Sequence, residues 1–219
     1  MSRRLFSVLS CALLLSACAT VNKQPLTSQS ADSIRGATIV QTARTPPDFA
    51  AMTAGKAAFA ILGAAAMISE GNKIIESNKV ADPASAIAEQ LAAALASKHS
   101  ATVVAAKTPV TADDASQIAA ATRQAAKFAV DVQTINWSFG YFPTNWSRYR
   151  VIYTAKARLI STERGAVVAE GFCVQIPQSD AGAPTYDELL ADGAALLKRR
   201  LEEAAAQCVK TLRSEMLSI

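Results

Sequence analysis

The amino-acid sequence predicts an α/β (α+β) fold, a single sandwich of helices on a five-stranded mixed sheet that closes with a three-strand meander and a long final helix. Three observations predict it. Apolar residues change along the chain from spacing two to spacing three or four, the signatures of strand and helix. The resulting elements run strand, helices, strand, helix, three strands, helix, an order that lays helices against one sheet. The 219 residues are 51% hydrophobic but only 6% aromatic, enough for one core at ~100–200 residues per domain. Forty-six alanines supply much of that apolar fraction. There is no self-similarity at a period of ~20–50 residues, so a repeat array is excluded.

The first 17 residues read as a secretory signal peptide. Arg3 and Arg4 form a basic start, Leu5 to Leu15 an apolar run, and Ser16 and Ala17 a small-residue end. The run is too short for the ~20 residues that cross a bilayer. The sequence Leu15, Ser16, Ala17, Cys18 closely resembles the bacterial lipoprotein box. The resemblance implies cleavage before Cys18 and acylation of its thiol, with two or three chains, palmitate among them, anchoring the protein to a membrane. Cys11 is a poorer candidate, with too little apolar sequence before it. Position 19 is Ala19, not the aspartate of retained inner-membrane lipoproteins, so the resemblance implies the outer membrane, facing the periplasm. Loss of Arg3 and Arg4 brings the formal charge from +4 to about +2.

The mature elements follow in order. Residues 18–36 are polar and aperiodic and read as a lipidated flexible tether, ahead of a periplasmic domain over 37–219. At about 5–6 Å × √n such a tether spans roughly 24 Å. Residues 37–43 form a strand stopped by Pro46 and Pro47. Residues 50–68 hold one charge, Lys56, among alanines and glycines, and read as a closely packed helix. Core, oligomer interface and membrane insertion are all open for it, although a lysine costs about 2.5–3.5 kcal/mol near a bilayer centre. Asp82 and Pro83 start the next helix, with Ile87, Leu91 and Leu95 on its buried stripe. Residues 101–105 read as a short buried strand, and Thr111 with Asp114 as a capping box opening a helix to about Ala126. Phe128, Val130 and Val132 alternate with Ala129, Asp131 and Gln133, giving the first meander strand. Residues 150–161 and 166–176 give the other two, joined by a turn at 163–165 and ended by Pro177. Thr185 and Glu188 cap a final helix to about Leu217, weakest at Gly193, with Leu190, Leu197, Leu201, Cys208, Leu212 and Met216 on one face.

With its lipobox, tether, isolated first strand, helix-strand-helix, meander from Phe128 to Val132 onward and closing helix, the chain resembles a broad group of periplasmic modules. The group includes the amino-terminal domain of the Tol translocation protein B, the lipoprotein activators of penicillin-binding proteins, and the curli secretion lipoprotein. The resemblance rests on element order and lipobox and implies a role in envelope assembly, secretion or cell-wall regulation. It places no partner-contact residue on this chain.

Cys173 in the last strand and Cys208 on the buried face of the last helix are the thiols left once Cys11 is removed and Cys18 acylated. In an oxidising periplasm they suggest a disulfide closing a 35-residue loop; two buried reduced cysteines are the alternative. Trp137, Phe139, Tyr141, Phe142, Trp146 and Tyr149 gather on one hairpin around Gly140, Pro143, Thr144 and Asn145. They form either a surface for an envelope protein, a glycan or the membrane interface or a cross-strand packing cluster.

Catalytic and cofactor motifs are missing. There is no Gly-x-Ser-x-Gly and no Ser-x-x-Lys. Gly55 and Lys56 are not a phosphate loop, because Ala50 stands where the first glycine belongs and Ala57 where a serine or threonine does. The single histidine, His99, follows helix residues Ser97 and Lys98 and reads as an imidazole at the helix carboxyl end. Scattered basic residues give no nucleic-acid patch. The expectation is a non-enzymatic, lipid-anchored envelope protein with no cofactor or metal, acting by protein binding. The alternative is a homo-oligomeric channel or secretion-complex subunit that uses the 50–68 helix.

Overall fold

The computed structural model describes residues 23–53 and 60–219. In chain order the elements are α1 (Ser28–Ile34), β1 (Thr38–Gln41), β2 (Ala50–Met52), α2 (Ala60–Asn78), α3 (Pro83–His99), β3 (Thr102–Ala105), α4 (Ala115–Thr122), β4 (Phe128–Phe142), β5 (Asn145–Ser161), β6 (Ala166–Gln175) and α5 (Tyr186–Glu215). The sheet runs β3-β1-β4-β5-β6, with β2 also beside β4. Pairing is parallel among β1, β2, β3 and β4, and antiparallel through the β4-β5-β6 meander. The sandwich is as expected, with one strand more. β1 pairs only with Phe128 to Val130 of the 15-residue β4, and an unpaired backbone edge beyond it would be costly. β2 takes that edge at Ser138 to Gly140. The helix expected over 50–68 therefore begins later, as α2; residues 54–59 lie outside the described residues.

Helices α3 and α5 cover one face of the sheet, called here the inner face. Ile87, Leu91 and Leu95 of α3 and Leu197, Leu201, Cys208 and Leu212 of α5 are buried there with Val130, Val132, Phe139, Tyr153 and Leu159. Asp82 caps α3, accepting from the Ala84 amide at 3.1 Å ahead of Pro83. Thr185 and Glu188 form the expected capping box of α5. The helix kinks where Gly193 was expected to weaken it. Asp192, Gly193 and Ala194 all have φ between +53° and +67°, so two non-glycine residues share the left-handed bend. Cys173 and Cys208 form a disulfide with Cα atoms 5.2 Å apart, clamping α5 to β6. The helix lies close to that strand: a Cβ at Gly171 would stand 2.9 Å from Leu212 and Met216.

The opposite, outer face is covered only in part. α4 packs Ile118 and Ala119 on Val40, Ala129 and Ile160. Its N-cap is Asp114, which accepts from the Ser116 and Gln117 amides, rather than a Thr111–Asp114 box. The helix ends at Thr122, ahead of the expected Ala126. Beside it lies a fully buried carboxylate. Asp131 accepts from Arg44 at 2.7 and 3.0 Å, from Arg158 at 2.7 and 3.3 Å, and from the Thr42 hydroxyl at 2.9 Å. Burial pushes the Asp131 acid up, but the two guanidiniums outweigh it and hold the acid below the ordinary range.

Three further expectations change. Residues 18–36 are not a free tether throughout. Gln24 exchanges two backbone hydrogen bonds with Glu170, the Leu26 amide donates to the Met216 carbonyl at 2.7 Å, and α1 buries Ile34 completely. Leu26 and Ile34 are apolar positions that dock, which aperiodic polarity around them concealed. β3 is not a buried strand but the sheet edge, and Val103 is 37% exposed. His99 ends α3 as expected, yet burial, then Arg35 and Lys98, disfavour its charged form.

Candidate functional site

The β4-β5 hairpin follows period two through most of its length. Trp137, Phe139 and Tyr149 face inward, while Ser138, Gly140, Phe142 and Arg150 occupy the alternate positions. Inward rings meet edge to face: Phe49 with Trp137 at 5.1 Å, Phe139 with Tyr149 at 5.9 Å, and Tyr186 of α5 with Phe139 at 5.8 Å and Tyr149 at 5.7 Å. These are favourable separations for such pairs. The Trp137 indole donates to the Pro47 carbonyl at 2.9 Å and the Tyr186 hydroxyl to Glu70 at 2.7 Å. Burial, helped by the neighbouring tyrosine, raises the hydroxyl pKa of Tyr149 and Tyr186, so both stay protonated.

Of the six aromatic residues read as a partner surface, Trp137, Phe139, Phe142 and Tyr149 are buried and Tyr141 is half-buried. Cross-strand packing is what the structure shows for them. Trp146 alone among the six is open, 67% exposed at the hairpin tip, its ring 6.1 Å from Tyr141. Of the cysteines read as sites, Cys173 and Cys208 are joined, and Cys18 lies outside the described residues.

The hairpin contributes to a site in another way. β6 stops at Gln175, opposite Tyr153, and the upper edge of β5 is left to the loop over 177–184. The Tyr149 amide donates to the Pro184 carbonyl at 2.8 Å, Arg148 to the Ala183 carbonyl at 3.0 Å, and Arg150 to the Pro177 carbonyl at 2.9 Å. Between loop, strands and α5 lies an open cleft of about 610 Å³. Its walls alternate apolar surface (Val151, Ile176, Leu189) with Arg150, Arg200 and Glu203. Arg150 stacks 5.0 Å above the Phe142 ring, and its Nε is buried without a hydrogen-bond partner among the described residues. Arg148 and Arg199 line an adjoining cleft on the other side of the loop. Each of those two has an acid nearby, Arg148 with Glu188 at 3.5 Å and Arg199 with Glu203 at 3.9 Å; Arg200 also pairs with Glu203, at 2.9 Å. No acid pairs with Arg150 in these ion pairs. The sequence signal for this cleft was the run Ser147, Arg148, Tyr149, Arg150, whose arginines at period two share a strand face; the aromatic residues drew attention instead.

A second, smaller cleft of about 350 Å³ opens between the α2-α3 turn and α5. On its floor Asp82 accepts from the Thr134 hydroxyl, which is also 3.0 Å from the Tyr153 hydroxyl. Burial raises both the Asp82 and Tyr153 pKa values. Asp82 already caps α3, so this chain of hydroxyls ties helix to sheet. Among the described residues no three His, Cys, Asp or Glu side chains gather to hold a metal, and no helix is long and apolar enough to cross a membrane.

By sequence the chain matches no family model and no curated protein. Among solved structures it is similar to a PelC dodecamer from Paraburkholderia phytofirmans, at 15% identity and TM-score 0.38, over 89% of this chain and 93% of that one. It is also similar to the LpoB C-terminal domain from Escherichia coli, at 14% identity and TM-score 0.28, over 66% and 85% of the two chains. A third is the lipoprotein GNA1162 from Neisseria meningitidis, at 13% identity and TM-score 0.34, over 78% and 99%.

Proposed function

We propose that this protein is a non-enzymatic, lipid-anchored lipoprotein of the cell envelope, held at the outer membrane through Cys18 and facing the periplasm, where it binds another envelope component in the hairpin cleft. The observation that carries the binding role is the cleft itself. It places Arg150, with one guanidinium nitrogen unpartnered, among apolar walls fixed by strand, loop and helix. Such a surface suits an extended protein segment or a glycan, since guanidiniums recognise carboxylate or hydroxyl oxygens and apolar walls take the carbon skeleton. The anchor reading rests on Leu15, Ser16, Ala17 and Cys18.

Crosslinking capture from envelopes tests the binding role. The wild-type chain recovers a discrete partner, and Arg150→Ala loses it while keeping its thermal stability to within a few degrees. Capture unaffected by Arg150→Ala overturns the cleft. Palmitate labelling tests the anchor: incorporation is expected in the wild type, and label that persists in Cys18→Ser overturns the assignment.

A further inference from the structure

Among the described residues, no helix lies on the upper half of the outer sheet face. α4 and its contacts end at the level of Ala129, Ile160 and Val167. Beyond Lys156, adjacent strands present Ile135, Ile152, Phe172, Val174 and Ile176. The register holds them together: Val174 lies opposite Thr154, and Thr154 opposite Asn136, next to the bulge that carries Ile135. Ile135, Val174 and Ile176 are 47%, 56% and 39% exposed, three of the six large apolar side chains most open to solvent among the described residues. Scattered exposed aliphatics need no explanation, but a contiguous group on one sheet face does.

The chain's amino-terminal path bears on what covers it. Gln24 pairs antiparallel with Glu170 through both backbone hydrogen bonds, at 2.8 and 2.9 Å, and Lys23 pairs with Glu215 at 2.9 Å. In an antiparallel pair the residue before Gln24 lies on the Gly171 side, so Lys23 lies toward the Val174 end of β6. Cys18 is six residues before Gln24 and reaches at most about 20 Å from it at ~3.3–3.6 Å per residue. Val174, four residues along β6 from Glu170, is only about 13 Å away. A free tether to Gly36 would have allowed about 60 Å by the same measure.

We infer that the open sheet face around Ile135 and Val174 rests on the phospholipid surface in which Cys18 is anchored. This rests on the anchor reading above. A domain docked from Gln24 onward can stand no more than about 20 Å off the bilayer, and of the surfaces near the short leash this one is apolar. The exposed flank of α5 beyond the disulfide carries Lys210, Arg213 and Glu215 instead. Lys156 flanks the patch on the same face, with Glu170 at its lower rim.

The test is hydrogen exchange on the full chain, produced in a Gram-negative host, purified with its lipid and reconstituted into vesicles of phosphatidylethanolamine and phosphatidylglycerol, against the Cys18→Ser chain without vesicles. Amides of residues 135–136 and 172–176 should slow by about tenfold or more, while those of α3 stay unchanged. The pair Ile135→Asp and Val174→Asp, both at exposed positions, should remove that protection and leave flotation with the vesicles intact. An acylated, floating protein whose patch exchanges as in the free chain overturns this inference and leaves the anchor standing. Protection that rises with protein density at constant lipid means a second copy covers the face, and also overturns it. Absence of acyl mass on Cys18 overturns the anchor and the inference together.

Discussion

On the inner face of the sheet, Phe139 and Tyr149 meet Tyr186 of α5 in a ring cluster, and a disulfide further along holds the same helix to β6. On the outer face, eight residues earlier along β4, Asp131 sits between Arg44 and Arg158 beneath a helix of eight residues. Both regions exclude water, by different means. The inner face does so with shape, since edge-to-face rings and small side chains such as Ala155 and Ala157 fit two helices tightly. The outer face does so with paired charge. Its helix is too short to cover a wide apolar strip, and the guanidiniums of Arg44 and Arg158 reach over to bond the Ala112 and Asp113 carbonyls, pinning the segment that leads into α4. Apolar packing tolerates truncation in proportion to the volume removed. A buried charge set fails when one member goes, because the others are left unpaired.

The largest expected effect tests that difference. Asp131→Ala strands two buried guanidiniums and should lower stability by about 3–5 kcal/mol in denaturant unfolding. Replacing all three charges with Leu or Met of similar volume should be neutral or stabilising by about 1–4 kcal/mol; a large loss there would mean the charges do more than pair. The same carboxylate gives the pH dependence. Its acid is held below the unfolded value of ~3.9, so its contribution is complete above that value. It is lost as pH falls through the folded one, and Asp131→Asn should flatten that acid limb.

On the inner face, Cys208→Ser should lower stability by about 3–4 kcal/mol in the chain-entropy account of a 35-residue loop, matched by reduction of the wild type under the same conditions. Thr185→Ala removes one half of the α5 capping box and should cost about 1 kcal/mol, read as a drop of several degrees in thermal melting. At the hairpin tip, Trp146→Ser should change stability by no more than about 0.5 kcal/mol, whereas Trp137→Ser, on the same hairpin but buried, should cost several. Equal effects at the two tryptophans would erase the distinction between tip and core.

Much of the fold was legible in the chain alone. Asp82 before Pro83, the Thr185 and Glu188 pair, and the alternation from Phe128 are local signals, each enforced by hydrogen bonding or side-chain period within a few residues. β2 was hidden because Ala50, Ala51 and Met52 have no strand character of their own; they are extended because β4 offers an edge there. The candidate site was half legible. The hairpin read as a surface borders the cleft, but Trp137, Phe139 and Tyr149 pack into the core and only Trp146 of its six rings is open. The cleft beside it depends on a loop over 177–184 whose course no local signal dictates.

The sequence by itself determined which elements form, in what order, and that Cys173 and Cys208 would stand on a strand and a helix. Period, capping and turn chemistry act over short separations and need nothing from the rest of the chain. Only the tertiary structure decided which strand face is dry, that Asp131 is buried between Arg44 and Arg158, and that residues 24–36 dock instead of tethering. Those outcomes rest on contacts between residues tens of positions apart or more, such as the 190 that separate Leu26 from Met216. Burial is a property of what the rest of the chain places on top, which no window of sequence contains.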